Sequence, residues 1–161
     1  MEARLAPLYD IFKLNSRIFL NCLDGMNDDQ ASWRASESVN SASFIALHLV
    51  DMRHHIATLC GLELDNRFAP MVKGRRSIAE MHGLPSLEEM REEWKSVTGE
   101  IRARMATLDG AALDQDTGTK LQIDDKRLLG VLAFLMQHDS YHIGQLALLR
   151  KQVGLPAMSY K

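Results

Sequence analysis

Near its C-terminal end the chain reads His138-Asp139-Ser140-Tyr141-His142-Ile143-Gly144-Gln145, set inside a long apolar run. Two imidazoles four residues apart share one face of a helix, with Cβ atoms roughly 5–6 Å apart, so both rings can bind one metal ion. Read outward, the run keeps helical spacing over 124–153. Its 3,4,3,4 seam is Leu128, Val131, Leu135, His138, His142, Gln145, Leu149: apolar at both ends and polar in the middle. The histidines are therefore expected to face a helix-bundle interior, where a polar ring needs a partner. Asp124 or Asp125 is placed to start this helix, and Gly154-Leu155-Pro156 to stop it, a glycine C-cap with a proline behind.

Three further segments carry the same periodicity. The first spans 3–24, with Leu5, Leu8, Ile11, Phe12, Ile18 and Phe19 at helical spacing, Pro7 tolerated in the first turns, and Gly25 as its end. Asn27-Asp28-Asp29-Gln30 then reads as a cap, with Trp33 in a short helical turn. The second spans 41–62 and can be capped by Asn40 or Ser41. The third opens on the capping box Ser86-Leu87-Glu88-Glu89 and runs to 108. A polar connection, 109–123, leads to the last helix. The longest connection, 63–85, holds Pro70, Gly74, Gly83, Pro85 and the basic residues Lys73, Arg75 and Arg76, with a short helix expected at 77–81. Loops this long are usually functional or mobile. The cations read as a solvated loop or, folded over the bundle mouth, as a holder for a carboxylate. No strand pattern and no repeat stands out. The expectation is an all-α four-helix bundle, one domain over 1–161.

Composition narrows the partners. With 161 residues, 46% hydrophobic and 25% charged, the chain can build one sizeable core. A net charge of −2 makes no case for nucleic acid. No apolar run approaches the ~20 residues of a membrane span. The start, Met1-Glu2-Ala3-Arg4-Leu5-Ala6-Pro7, lacks the pattern of a signal peptide. Cys22 and Cys60 sit in apolar helical patterns and read as buried thiols, so a cytoplasmic location is expected.

The second helix also carries imidazoles on its seam: Ile45, His48, Met52, His55, Leu59, Leu62. His48 and His55 lie roughly 10 Å apart along the axis, so one straight helix cannot give both to one ion. Either is a candidate third ligand. His54 is expected to face solvent, and His82 falls in the long loop. Three histidines with positions left open make a catalytic type of site, able to polarise a water or a substrate sulfur or oxygen. Zn, Ni, Co and Fe all accept imidazole. A rival is a di-metal centre built on Asp51-x-x-His54 and Asp139-x-x-His142, although the first helix offers only Glu2, Asp10 and Asp24 to complete it. No cysteine lies near a histidine, and no nucleophile elbow or glycine-rich phosphate loop appears.

The stretch from Gln137 through His138, His142, Gly144, Gln145 and Arg150 to Gly154-Leu155-Pro156 closely resembles the C-terminal signature of the DinB/YfiT-like superfamily. Ser43-Phe44-Ile45-Ala46-Leu47-His48 resembles that family's N-terminal ligand helix, and Trp33 the tryptophan that often precedes it. The resemblance implies His48, His138 and His142 as metal ligands, which favours His48 over His55. It implies up-down-down-up topology with a long crossover between the second and third helices, and homodimers. Zn or Ni is the first choice of divalent ion, with Fe, Co or Mn also accepted. Characterised members resemble bacillithiol or mycothiol S-transferases and a mycothiol-dependent maleylpyruvate isomerase. The function implied is a metal-dependent thiol S-transferase or hydrolase acting on a small electrophilic molecule, with a low-molecular-weight thiol as partner. The alternative is a non-catalytic metal-binding or stress-induced structural dimer. Gln145, Tyr141 and Asp139 are the candidate catalytic neighbours of the ligands. Gln145 is best placed, one turn past His142, whereas Asp139 points about 100° from His138.

Overall fold

Small polar caps decide where the helices begin. The computed structural model describes residues 1–74 and 83–160. A short turn at Ala3–Leu5 leads into α1 (Ala6–Leu23), followed by α2 (Asp28–Ser32), α3 (Ala42–Leu59), α4 (Ala69–Val72), α5 (Leu87–Met105), α6 (Gly110–Leu113) and α7 (Leu128–Gln152). Asn27 and Gln30 close a capping box on α2, and Ser86 and Glu89 another on α5. Ser41 caps α3 by accepting from the Phe44 N–H. At the far end of α7, Gly154 takes φ of 84° and the Leu155 N–H donates back to the Arg150 carbonyl, which ends the helix. Among the described residues there is no strand, only an isolated bridge between Asp116 and Arg127.

Several boundaries differ from the sequence expectation, with α3 ending at Leu59 rather than 62 and α5 at Met105 rather than 108. The last helix begins at Leu128, after Asp124 and Asp125. Asp125 accepts from the backbone N–H and the guanidinium of Arg127, and Leu128 N–H donates to Gln115 O, so this segment is tied to the preceding loop. The connection 109–123 also contains the single turn α6, capped by Asp109. The helix expected at 77–81 lies outside the described residues, as do Arg75, Arg76 and His82.

Four long helices share the interior. α1 packs on α7 and α5, and α3 packs on α5 and α7. One apolar cluster joins Phe19 and Leu23 of α1, Leu47 and Val50 of α3, Met90 and Trp94 of α5, and Leu146 of α7. A second joins Leu5 and Phe12, Ile56 and Cys60, Ile101 and Met105, and Leu132 and Leu135. The early residues of α1 and α7 thus meet the late residues of α3 and α5. Between the two clusters lies a polar level formed by Asn15, Arg53, His54, Asp139 and Ser140. Asn15 donates to Met136 O and to Ser140 Oγ at 3.0 Å, fastening α1 to α7 there. Cys22 and Cys60 are free buried thiols, and burial pushes each up to about 11. No helix among the described residues is long and apolar enough to cross a membrane.

Candidate metal centre

α3 and α7 meet along a half-buried edge, and their histidines meet there. His48 Nε2 lies 3.2 Å from His138 Nε2, and His142 Nε2 lies 3.2 Å from the same atom. The three rings stand edge to face, with centroids 4.5 to 5.0 Å apart. Each offers one nitrogen to a common point, all within 4.8 Å of one another. Nitrogens each bound at about 2.0–2.1 Å to one tetrahedral ion sit roughly 3.3–3.4 Å apart; the two 3.2 Å separations lie close to that, so the group could hold a single divalent ion.

The protonation states also fit. Burial, then His142 and His138 beside it, push His48 down to about 4. Burial, then His142, lowers His138 as well. Neutral rings are the form that ligates. His142 Nδ1–H donates to Gln145 Oε1 at 2.7 Å, which leaves its Nε2 lone pair facing the trio. Gln145 Nε2 in turn donates to the Tyr141 hydroxyl at 3.3 Å. Tyr141 is 58% exposed and lies edge-on to the His142 ring. His138 Nδ1 is buried without a partner among the described residues.

Asp139 is placed differently from Gln145 and Tyr141. Its side chain enters the core, where its Oδ2 lies 2.8 Å from Arg53 Nη2, both residues fully buried. The Arg53 guanidinium lies over the rings of Phe12 (4.0 Å) and Trp94 (4.2 Å). Burial raises the Asp139 carboxyl, and Arg53 pulls against that shift. The 3,4,3,4 seam had placed the histidines inward. In the structure the inward line of α7 runs through Leu132, Leu135, Asp139, Ile143 and Leu146, and the histidines flank it. A 3.5-residue seam drifts about 20° per heptad on a straight helix, enough to exchange neighbours over this length.

The remaining histidines of α3 part ways. His55 is exposed. His54, expected in solvent, is 7% exposed, and its Nε2 meets Glu93 Oε1 at 2.8 Å, while Arg67 Nε meets Oε2 at 3.1 Å. Asp51 accepts from Asn66 at 2.8 Å. Both carboxylates of the di-metal pattern are thus engaged elsewhere. Arg53 carried a signal that the sequence reading passed over, a cation on the apolar line Ala46, Val50, Arg53, Ala57.

The family model described as the DinB superfamily matches residues 11–146. A conserved protein from Enterococcus faecalis has a similar structure, with a TM-score of 0.72 at 12% identity, covering 95% of this chain and 98% of its own. A DinB-like protein from Bacillus subtilis, YjoA, gives 0.64 at 17% identity, covering 95% and 96%. No curated protein matches the sequence. At these identities the structures speak for the shared all-helical fold, and the family match over most of the chain speaks for descent: the chain belongs to the DinB superfamily.

Proposed function

We propose that His48, His138 and His142 hold one divalent ion and that the protein uses it to transfer a small thiol to, or to hydrolyse, a small electrophilic molecule. The carrying observation is the convergence of three Nε2 atoms on one point at the edge between α3 and α7. An ion of Zn or Ni, or of Fe, Co or Mn, supplies Lewis acidity there, promoting loss of a proton from water or a thiol.

The chain's own groups then have separable tasks. Three neutral imidazoles bring no negative charge, so an incoming thiolate meets no ligand carboxylate. Gln145 fixes the His142 tautomer through the 2.7 Å bond to Nδ1. The exposed Tyr141 hydroxyl, already within reach of Gln145, is available to a substrate at the mouth. Asp139 supports the core under His138 through its ion pair with Arg53.

Metal analysis of the purified protein tests the site. About one ion per chain is expected, lost in both His48→Ala and His142→Ala. No uptake under metal-replete conditions sinks the reading, and two ions per chain favour a di-metal centre. A screen of small thiols against electrophiles, with and without metal, tests the reaction.

A further inference from the structure

On the seam between α1 and α5, away from the histidines on α3 and α7, lies a second concavity of about 410 Å³. Four cations line it, Lys13, Arg17, Lys95 and Arg102, and among the described residues no carboxylate does. Lys13 is partly neutralised by Asp10 at 2.7 Å. The side chains of Arg17, Lys95 and Arg102 have no ion pair or hydrogen bond to a described residue. The chain is slightly acidic overall, with a net charge of −2, so three unengaged cations around one groove are a local excess.

Two further features lie in the same wall. Thr98 is 8% exposed, and its Oγ1 is buried without a hydrogen-bond partner among the described residues. Such a hydroxyl is normally satisfied, and one left open beside a cationic groove is a donor in waiting. Gly99, next to it in mid-helix, also lines the groove, and a Cβ added there meets nothing within 4 Å. An interior helical glycine is disfavoured against alanine. Nothing in the chain's own packing calls for this one, whereas close approach of a ligand to the backbone does. Leu20 and the edge of Trp94 supply an apolar floor, and the volume lies in the range of small-molecule sites.

We propose that this groove binds a small amphipathic anion, a carboxylate or phosphate head on an apolar stem. The head lies among Arg17, Lys95 and Arg102 and takes the Thr98 hydroxyl. The stem lies along Leu20 and over Gly99. This site does not depend on the metal reading.

Calorimetric titration of the full chain with octanoate and octyl phosphate tests the proposal. Octanol serves as the stem alone and inorganic phosphate as the head alone. Saturable one-to-one binding of either anion is expected, with octanol and phosphate each at least about tenfold weaker. Arg17→Gln with Arg102→Gln is expected to weaken the anion about tenfold or more. Gly99→Leu is expected to abolish binding while metal content is kept and the thermal midpoint is kept or raised. Equal affinity for octanol and octanoate, no saturation by about 10 mM, or unchanged affinity in both variants overturns the proposal. Vesicles containing an anionic phospholipid form a separate arm. Binding to vesicles without binding of the free anions overturns the small-ligand site in favour of a lipid surface.

Discussion

His138 and Asp139 are neighbours in sequence, yet the protein treats their polar groups in opposite ways. Asp139 is fully buried and closes at 2.8 Å on Arg53, whose guanidinium lies over two aromatic rings. His138, half-buried at the edge of the same level, turns its Nε2 toward two other ring nitrogens at 3.2 Å. One polar group is paired with an opposite charge inside the fold. The other is held open by it. The difference teaches that burial and charge do not by themselves mark a functional group. What marks it is the convergence of three like ring nitrogens at one half-buried point, where no oppositely charged group pairs with them.

The contrast can be broken at its strongest point by Arg53→Ala. Removing one partner of a buried pair leaves a charge uncompensated, and a loss of about 3–5 kcal/mol is expected in denaturant titration. The double replacement Arg53→Met with Asp139→Leu is expected to recover most or all of that loss while metal content stays at one per chain. If the double variant folds well but no longer takes up metal, the pair serves the site as well as the fold.

Gln145→Leu gives a smaller effect on the other side of the contrast. It keeps all three imidazoles but frees His142 Nδ1, and if they hold the ion its affinity is expected to fall about 10- to 100-fold by competition with a chelator. An unchanged affinity means that the 2.7 Å bond to Gln145 does not orient the ring.

The smallest effect concerns pH in the metal-free protein. His48 is pushed down to about 4, against 6.5 for the ordinary side chain. Between those values the unfolded chain binds a proton at this residue and the folded chain does not, so its contribution falls as pH drops through the window. Asp139, raised by burial from 3.8 to about 6, works in the opposite sense over nearly the same window, so the wild-type profile alone does not isolate His48. His48→Gln is expected to lose less stability than the wild type between the two ends of the window, measured by urea midpoints. Parallel profiles for the two proteins contradict neutral burial of His48.

Much of this was legible in the residues. The four long helices announced themselves through spacing and caps, most sharply at Ser86-Leu87-Glu88-Glu89 and at Gly154, because those signals are local. The pair His138 and His142 was legible for the same reason, since helical geometry alone puts them together. The choice of His48 over His55 came from resemblance, and the structure brings His48 to the pair while His55 is exposed. What escaped depends on where helix faces meet. The seam of α7 was read about one residue off, which hid the pairing of Asp139 with Arg53. On α3 the same kind of error put His54 in solvent, because its partner Glu93 is 39 residues away. The late start of α7 rests on Asp125 and Gln115, loop contacts that periodicity does not report.

The two cysteines have a practical use. Cys22 and Cys60 are 0% and 2% exposed, and burial holds both thiols at about 11. At neutral pH neither presents a thiolate, so the folded chain does not compete with a small thiol for an electrophile. Cys22 lies in the apolar cluster with Trp94 and Cys60 in the cluster with Ile101, so each end of the molecule carries its own silent tag. A pulse of alkylating reagent marks a tag only when its end opens. Mass spectrometry of the two peptides then tells whether the ends come apart together or one at a time, without adding a label.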